Sequence, residues 1–269
     1  MPELAEVEYF RKVWAAAMGE RVRRAEADAG SRVFREADAA SLPGAMRGAE
    51  LREARACGKW MVFGFSGGRW LGVHLGMTGR LFRAPPGRER ERHDRLLLRG
   101  EGATLGFADP RHFGRVRFDR GAGPPEWWRR LPPAVVSEAF RFELFEAFLR
   151  RRGRSPVKAV LLMQERFPGV GNWMADEALW RAGVRPDAPA GRIGPRKRRE
   201  LYEALREVCR GSLECIGVDW TPPPDDWLFG HRWKDGGRCP ATGARLKRAP
   251  VGGRTTCWCP AKQTYRGRR

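Results

Sequence analysis

The hydrophobic period of this chain turns from strand-like to helical near residue 130, and that change constrains its fold more than any other feature. Between about residues 20 and 120, apolar residues come in short runs such as WMVFGF, WLGVHL and ATLGFA, separated by glycine-bearing turns. Such runs between turn signals read as antiparallel strands of a sandwich or barrel. From Ser137 the spacing turns helical, through EAFRFELFEAFLRR, VKAVLLMQ, ADEALWRAGV and PRKRRELYEALREVCRGSL. Ahead of the strands, Leu4, Val7, Phe10, Val13 and Trp14 trace one face of a helix over 3–18. GAGPPEWWRRLPP (121–133) is dense in Gly and Pro and reads as a linker, and VDWTPPPDDW (218–227) as a loop. The tail from Phe229 to Gln263 reads as a hairpin. The expected class is α+β: a helix and β-sandwich domain (1–120), a linker (121–136), a helical domain (137–228) and a terminal β-hairpin (229–269).

Charge names the class of partner. With 52 Lys and Arg against 32 Asp and Glu, the formal net charge is +20, which favours a polyanion and nucleic acid first. A GC-rich coding sequence would also inflate arginine, and 45 of the 52 are Arg, so the charge carries no more than that. The 11 Trp and 14 Phe offer groups for stacking or wedging. No run of eighteen apolar residues occurs, so no membrane partner is expected. The start, MPELAEVEYFRKVW, is acidic and amphipathic rather than an export signal, and a cytoplasmic setting with six reduced, scattered cysteines is expected.

The N-terminus holds the first candidate chemistry. Removal of Met1 before Pro2 would expose a secondary amine. An α-amino group has a pKa near 8 against about 10.4 for Lys, so far more of it is unprotonated at neutral pH. Such an amine can attack an aldehyde-level sugar carbon and form an iminium. Glu3 beside it and Glu6 one turn on suit proton delivery and relay. The same residues also read as an ordinary helix start, with Pro at the first position and acids favouring the dipole.

Six segments in order settle between those readings: PELAEV (2–7), Lys59 in ACGKWMVF, HLGMTGRL (74–81), DPRHFG (109–114), VKAVLLMQ…PGVGNWMADEALWRAGVRP (157–186) and VGGRTTCWCP (251–260). Together they resemble the formamidopyrimidine-DNA glycosylase and endonuclease VIII family, closer to the formamidopyrimidine branch, over nearly the whole chain. The resemblance implies a bifunctional glycosylase and abasic-site lyase acting on damaged double-stranded DNA through a Schiff base on Pro2, followed by β,δ-elimination. It implies Glu3 as proton donor, Glu6 as its supporting carboxylate, and Lys59 on the phosphates beside the lesion. Met77, Arg111 and Phe113 match the family's void-filling residues, whose thioether, guanidinium and aromatic ring suit the hole left by an extruded base. His112 and His93 are expected as further DNA contacts. Lys158 and Asn172 match the phosphate-gripping positions of a helix–two-turns–helix element, and Arg254 the arginine of the terminal finger. Glycines at Gly169 and Gly171 would let α-helical N–H groups approach a phosphate. No cofactor is implied, and the chain is expected to act as a monomer.

The family usually ends in a zinc hairpin with two C-x-x-C pairs. Here these read Cys239-Pro-Ala-Thr242 and Cys259-Pro-Ala-Lys262, and Cys257 and Cys259 are too closely spaced to chelate well. The expectation is a zincless finger with glycines and the packing of Trp233 and Trp258 in place of metal, a rearranged site with His231 being the alternative. Two further readings stay open for function: the same scaffold tuned to oxidised pyrimidines or to bulky or crosslinked lesions, and a non-catalytic binder of damaged DNA.

Overall fold

The computed structural model describes residues 2–264, so Met1 and its removal lie outside the described residues. By contacts the chain divides into two units, one of residues 6–131 with Pro2, the other of residues 132 onward with Glu3–Ala5.

The first unit opens with helix α1 (Leu4–Ala15), most of which belongs to it. Strands follow as β1 (Arg24–Ala27), β2 (Leu51–Cys57), β3 (Trp60–Phe65), β4 (Arg69–His74), β5 (Arg80–Ala84), β6 (Asp94–Arg99), β7 (Thr104–Ala108) and β8 (Arg115–Arg120), with short helix α2 (Leu42–Met46) after β1. They form two four-stranded antiparallel sheets, ordered β1-β6-β7-β5 and β2-β3-β4-β8. Buried Phe63, Leu71, Leu96, Leu98 and Phe107 share one core, as a sandwich requires. Trp14 of α1 is fully buried there, its ring 4.7 Å from Phe63 and its indole N–H donating to the Gly106 carbonyl at 3.3 Å. An indole buried with its N–H satisfied carries a large apolar contribution without the polar penalty. The expected linker is divided: short helix α3 (Glu126–Arg129) packs on the first unit, and the boundary falls between Leu131 and Pro132. Trp127 makes that packing, and a Cβ at Gly72 of β4 would lie 2.6 Å from its ring.

The second unit is helical: α4 (Phe142–Arg151), α5 (Val157–Leu161), α6 (Asn172–Arg181), α7 (Pro195–Glu214) and α8 (Ile216–Asp219). On α7, Leu201, Ala204, Leu205, Val208 and Cys209 are buried at helical spacing, and Pro195 at its start has no N–H to leave unpaired. The chain ends in hairpin β9 (Lys247–Val251) and β10 (Arg254–Trp258). Its loop, Gly252-Gly253, has positive φ at both positions, the two-residue turn whose twist matches a hairpin. Among the described residues no helix is long and apolar enough to cross a membrane.

Candidate active site and DNA-contacting residues

Glu3 is the most tightly specified side chain at the N-terminus. It is buried at 4% exposure, and its carboxylate accepts three backbone N–H groups at the start of α6: Gly171 at 3.0 Å, Trp173 at 3.0 Å and Met174 at 3.1 Å. The first turn of a helix leaves such N–H groups without intrahelical partners, and its positive end favours an anion. Leu4 adds a fourth tie, its N–H donating to the Gly169 carbonyl at 3.0 Å. This corrects the reading of the glycine turn as an open phosphate cradle, because three of those N–H groups are committed to Glu3. Gly171 is required for a related reason, since a Cβ there would lie 2.2 Å from the Glu3 Cδ. Pro2, half-buried, immediately precedes this clamp, and Glu6 lies half-buried on α1.

In the first unit, Lys59 sits on a two-residue hairpin between β2 and β3, with Gly58 supplying the positive φ that such a turn needs at its first central position. His74, at the end of β4, pairs across the sheet with Trp60, and their rings lie 5.1 Å apart. The sequence reading passed over His74, although it opens the quoted HLGMTGRL segment. Its Nδ1 accepts the Gly76 N–H at 3.0 Å, which leaves the proton of the neutral ring on Nε2 as a donor. Burial, then the cations Lys59, Arg115 and Arg35, push the His74 pKa down to about 4, against a smaller opposing pull from Glu36.

That depression has a sign. Between pH 6.5 and 4 the unfolded chain binds a proton at His74 that the folded one refuses, so stability falls on acidification through this window. The stability lost across this window is about 3 kcal/mol. His74→Asn keeps an acceptor for Gly76 and is expected to flatten the loss of thermal stability between pH 6.5 and 4; an unchanged slope would refute the assignment.

The three residues expected to fill the void are set out by two loops that touch. Gly76, at φ +66°, passes so close to the 113–114 peptide that a Cβ would meet the Phe113 carbonyl carbon at 2.4 Å. Fully buried Asp109 ties the loops further, accepting from Thr78 Oγ1 at 3.0 Å, Arg111 N at 3.2 Å and Gly114 N at 2.7 Å. Asp109 is a second residue that the sequence reading left without a role. The result leaves Met77, Arg111 and Phe113 exposed, with the Arg111 guanidinium 4.7 Å from the Phe113 ring centre. His112 adopts a left-handed φ of 56°, and its Nδ1 lies 2.8 Å from Ser31 Oγ. Beside the trio opens a cavity of about 380 Å³ lined by the cations Arg32, Arg35 and Arg115 together with His74 and His112. His93 is exposed and contributes its carbonyl to Asp109 N at 2.9 Å.

In the second unit, Arg254 is exposed beside the hairpin loop, and Asn172 donates from Nδ2 to the Thr255 carbonyl at 2.9 Å, which brings two of the three positions expected on phosphates together. Lys158 departs from its expected role. It is fully buried, bonded to Asp176 and to the Asn172 carbonyl at 2.6 Å, so its ammonium is not offered to a phosphate. Burial pulls its pKa below the usual lysine range, with Asp176 opposing.

The residues at the family's metal position do not fit tetrahedral zinc. Cys239 Sγ accepts the Trp180 indole N–H at 3.3 Å, Thr242 Oγ1 lies 3.4 Å from Cys259 Sγ, and the Lys262 ammonium sits 4.5 Å from the Trp180 ring centre. Two thiols, a hydroxyl and an ammonium lack the third and fourth donors, and His231 Nε2 lies 2.9 Å from the Asp225 carbonyl instead. No group of three metal-binding side chains occurs among the described residues. The packing expectation also shifts: Trp233 is about half exposed, and the buried aromatic against Cys239, Cys257 and Cys259 is Trp180.

Comparison with known proteins identifies the family. The formamidopyrimidine-DNA glycosylase N-terminal domain family matches residues 1–116, and the formamidopyrimidine-DNA glycosylase H2TH domain family matches residues 131–220. The formamidopyrimidine-DNA glycosylase of Thermus thermophilus is 37% identical over 276 residues, covering 98% of each chain. That of Solibacter usitatus is 34% identical over 268 residues, covering 97% of this chain and 98% of its own. Among solved structures, MutM in complex with DNA containing carbocyclic 8-oxo-G is 25% identical with a TM-score of 0.87, and the Lactococcus lactis Fpg with abasic-site DNA is 25% identical with a TM-score of 0.86. Each covers 98% of this chain and 100% of its own. Both halves of the sequence and nearly the full length of these relatives are accounted for, and the chain belongs to the formamidopyrimidine-DNA glycosylase family.

Proposed function

We infer that this chain is a bifunctional glycosylase and abasic-site lyase of base excision repair, acting on damaged double-stranded DNA. The observation that carries the residue assignment is Glu3, held at three N–H groups directly after Pro2. With Met1 removed, the Pro2 amine attacks C1′ of the damaged nucleotide, and the base leaves with the bonding pair and takes up a proton. Opening of the C1′–O4′ bond gives the iminium, with Glu3 delivering the proton to the ring oxygen or the leaving base. Successive loss of the 3′ and 5′ phosphates by β- and δ-elimination then cuts the strand. Lys59 and the Nε2–H of His74 hold phosphates beside the lesion, while Met77, Arg111 and Phe113 fill the vacated stack. Asn172 and Arg254 grip the flanking phosphates. Glu6 supports the acid.

The finger works without zinc. Its core of Trp180, Leu228, Leu246 and three buried cysteines supports this reading, and metal analysis finding one zinc per chain would overturn it. For the lesion, ring-opened purines and hydantoins are favoured over 8-oxoguanine. The loop before the finger is short, carries Pro222, Pro223 and Pro224, and ends on buried Trp227, which limits its freedom to adapt to a base. Borohydride trapping on an abasic duplex tests the chemistry: a covalent band with the native chain, sharply reduced in Pro2→Gly, is expected. Binding without any band, with Met1 proven absent, would leave the non-catalytic reading.

A further inference from the structure

Helix α6 carries two consecutive acids, Asp176 and Glu177, that are both fully buried. A carboxylate in that position costs several kcal/mol of desolvation unless cations and N–H donors surround it. Asp176 is surrounded from three segments. Oδ1 pairs with Lys158 on α5, Oδ2 pairs with Arg232 in the segment leading to the hairpin, and Oδ2 also accepts the Cys257 N–H of β10 at 3.0 Å. Lys158 in turn donates to the Asn172 carbonyl, and the Asn172 side chain reaches Thr255 of β10. Glu177 accepts the Phe229 N–H at 3.0 Å, fastening the chain just ahead of Arg232.

We propose that Asp176 is a positioning residue for DNA binding, fixing β10 against the start of α6 so that Arg254 and Asn172 present to neighbouring phosphates in one register. The inference rests on the reading of Arg254 and Asn172 as phosphate contacts. In a zinc finger the metal ties the hairpin ends; the donors at that position here cannot, and the hub supplies a tie by another chemistry. Stability alone does not call for these charges, because a well-packed apolar replacement of a buried ion triad is often as stable. What the carboxylate adds is direction: its two oxygens take specified donors from three segments.

The test uses the full chain and a duplex with a tetrahydrofuran abasic analogue for affinity, an aldehydic abasic duplex for trapping, and amide exchange of 254–258. Asp176→Asn is expected to raise Kd at least about tenfold and to reduce the salt slope by roughly one phosphate contact. Faster exchange along β10 is expected with it, while the trapping rate at saturating duplex stays within about twofold. Unchanged Kd and slope in a folded Asp176→Asn protein would overturn the proposal, as would a trapping rate falling in step with affinity. Should that variant not fold, the combined Lys158→Met, Asp176→Leu and Arg232→Met chain keeps the core apolar but gives Cys257 N–H no acceptor. It is expected to show the same loss of affinity, and native affinity there would also overturn the proposal. Failure of the native chain to bind the duplex would sink the phosphate reading instead. Exchange at β10 would then decide the hub, with unchanged rates in Asp176→Asn overturning it.

Discussion

Glu3→Gln is expected to slow base excision by about 10²–10⁴-fold, the range of a lost general acid. The geometry adds a second cost. The carboxylate accepts from Gly171, Trp173 and Met174, and an amide offers one acceptor oxygen in place of two. Its NH₂ must then face an N–H at the positive end of α6, and an unpaired buried donor costs about 1–3 kcal/mol. A fall in thermal midpoint of a few degrees should accompany the kinetic loss. Single-turnover excision of a ring-opened purine, set beside trapping of a preformed abasic site, separates the two effects. The abasic site has no base to expel, so it should suffer less. Equal losses on both substrates would assign Glu3 to structure rather than to proton delivery.

Gly171→Ala is expected to damage the same step from the other side, by about 10²-fold, the scale of a small misplacement of a catalytic group. The backbone at Gly171 has φ −122°, so alanine can adopt it without strain. The obstacle is the Glu3 side chain, whose Cδ and Oε1 would lie 2.2 and 2.4 Å from the new methyl. Glu3 must leave its three donors to make room. The two positions should therefore be strongly non-additive, with Gly171→Ala costing little once Glu3 is alanine. A double-mutant cycle on excision rate checks this, and additive losses would show that the methyl acts elsewhere.

The architecture was legible because it is written in period. Short apolar runs of five or six residues marked β3, β4 and β7, and three-and-four spacing marked α4 and α7, while charged β1, β2 and β8 carried no such run. The exceptions are instructive. Trp127 lies in a stretch whose Gly and Pro content reads as linker, yet Gly72 leaves its ring a place against β4, a complementarity no local pattern displays. Lys158 read as a phosphate contact because a lysine's charge is visible in sequence and its burial is not. The role of Glu3 as a cap for α6 was illegible for the same reason, its partners being about 170 positions away. His74 was within reach: an imidazole before a Leu-Gly-Met turn, in a segment already singled out, invited the question that Met77 received. Trp180 lay hidden inside an amphipathic helix, where an aromatic reads as ordinary core, while Trp233 drew attention by its place in the finger.

The reach of Glu3 across the sequence also sets a timetable. Its N–H donors stand 168 to 171 positions later in the chain. At ribosomal rates of about 5–20 residues per second, they emerge roughly ten to thirty seconds after it. A contact of that separation closes late, because the intervening chain must first be ordered. During synthesis Glu3 thus spends that interval with none of its three donors to hold it. A chain stalled before residue 171 carries Pro2, the proposed nucleophile, without a seated acid beside it, so on that reading the capacity to cut DNA waits for the start of α6.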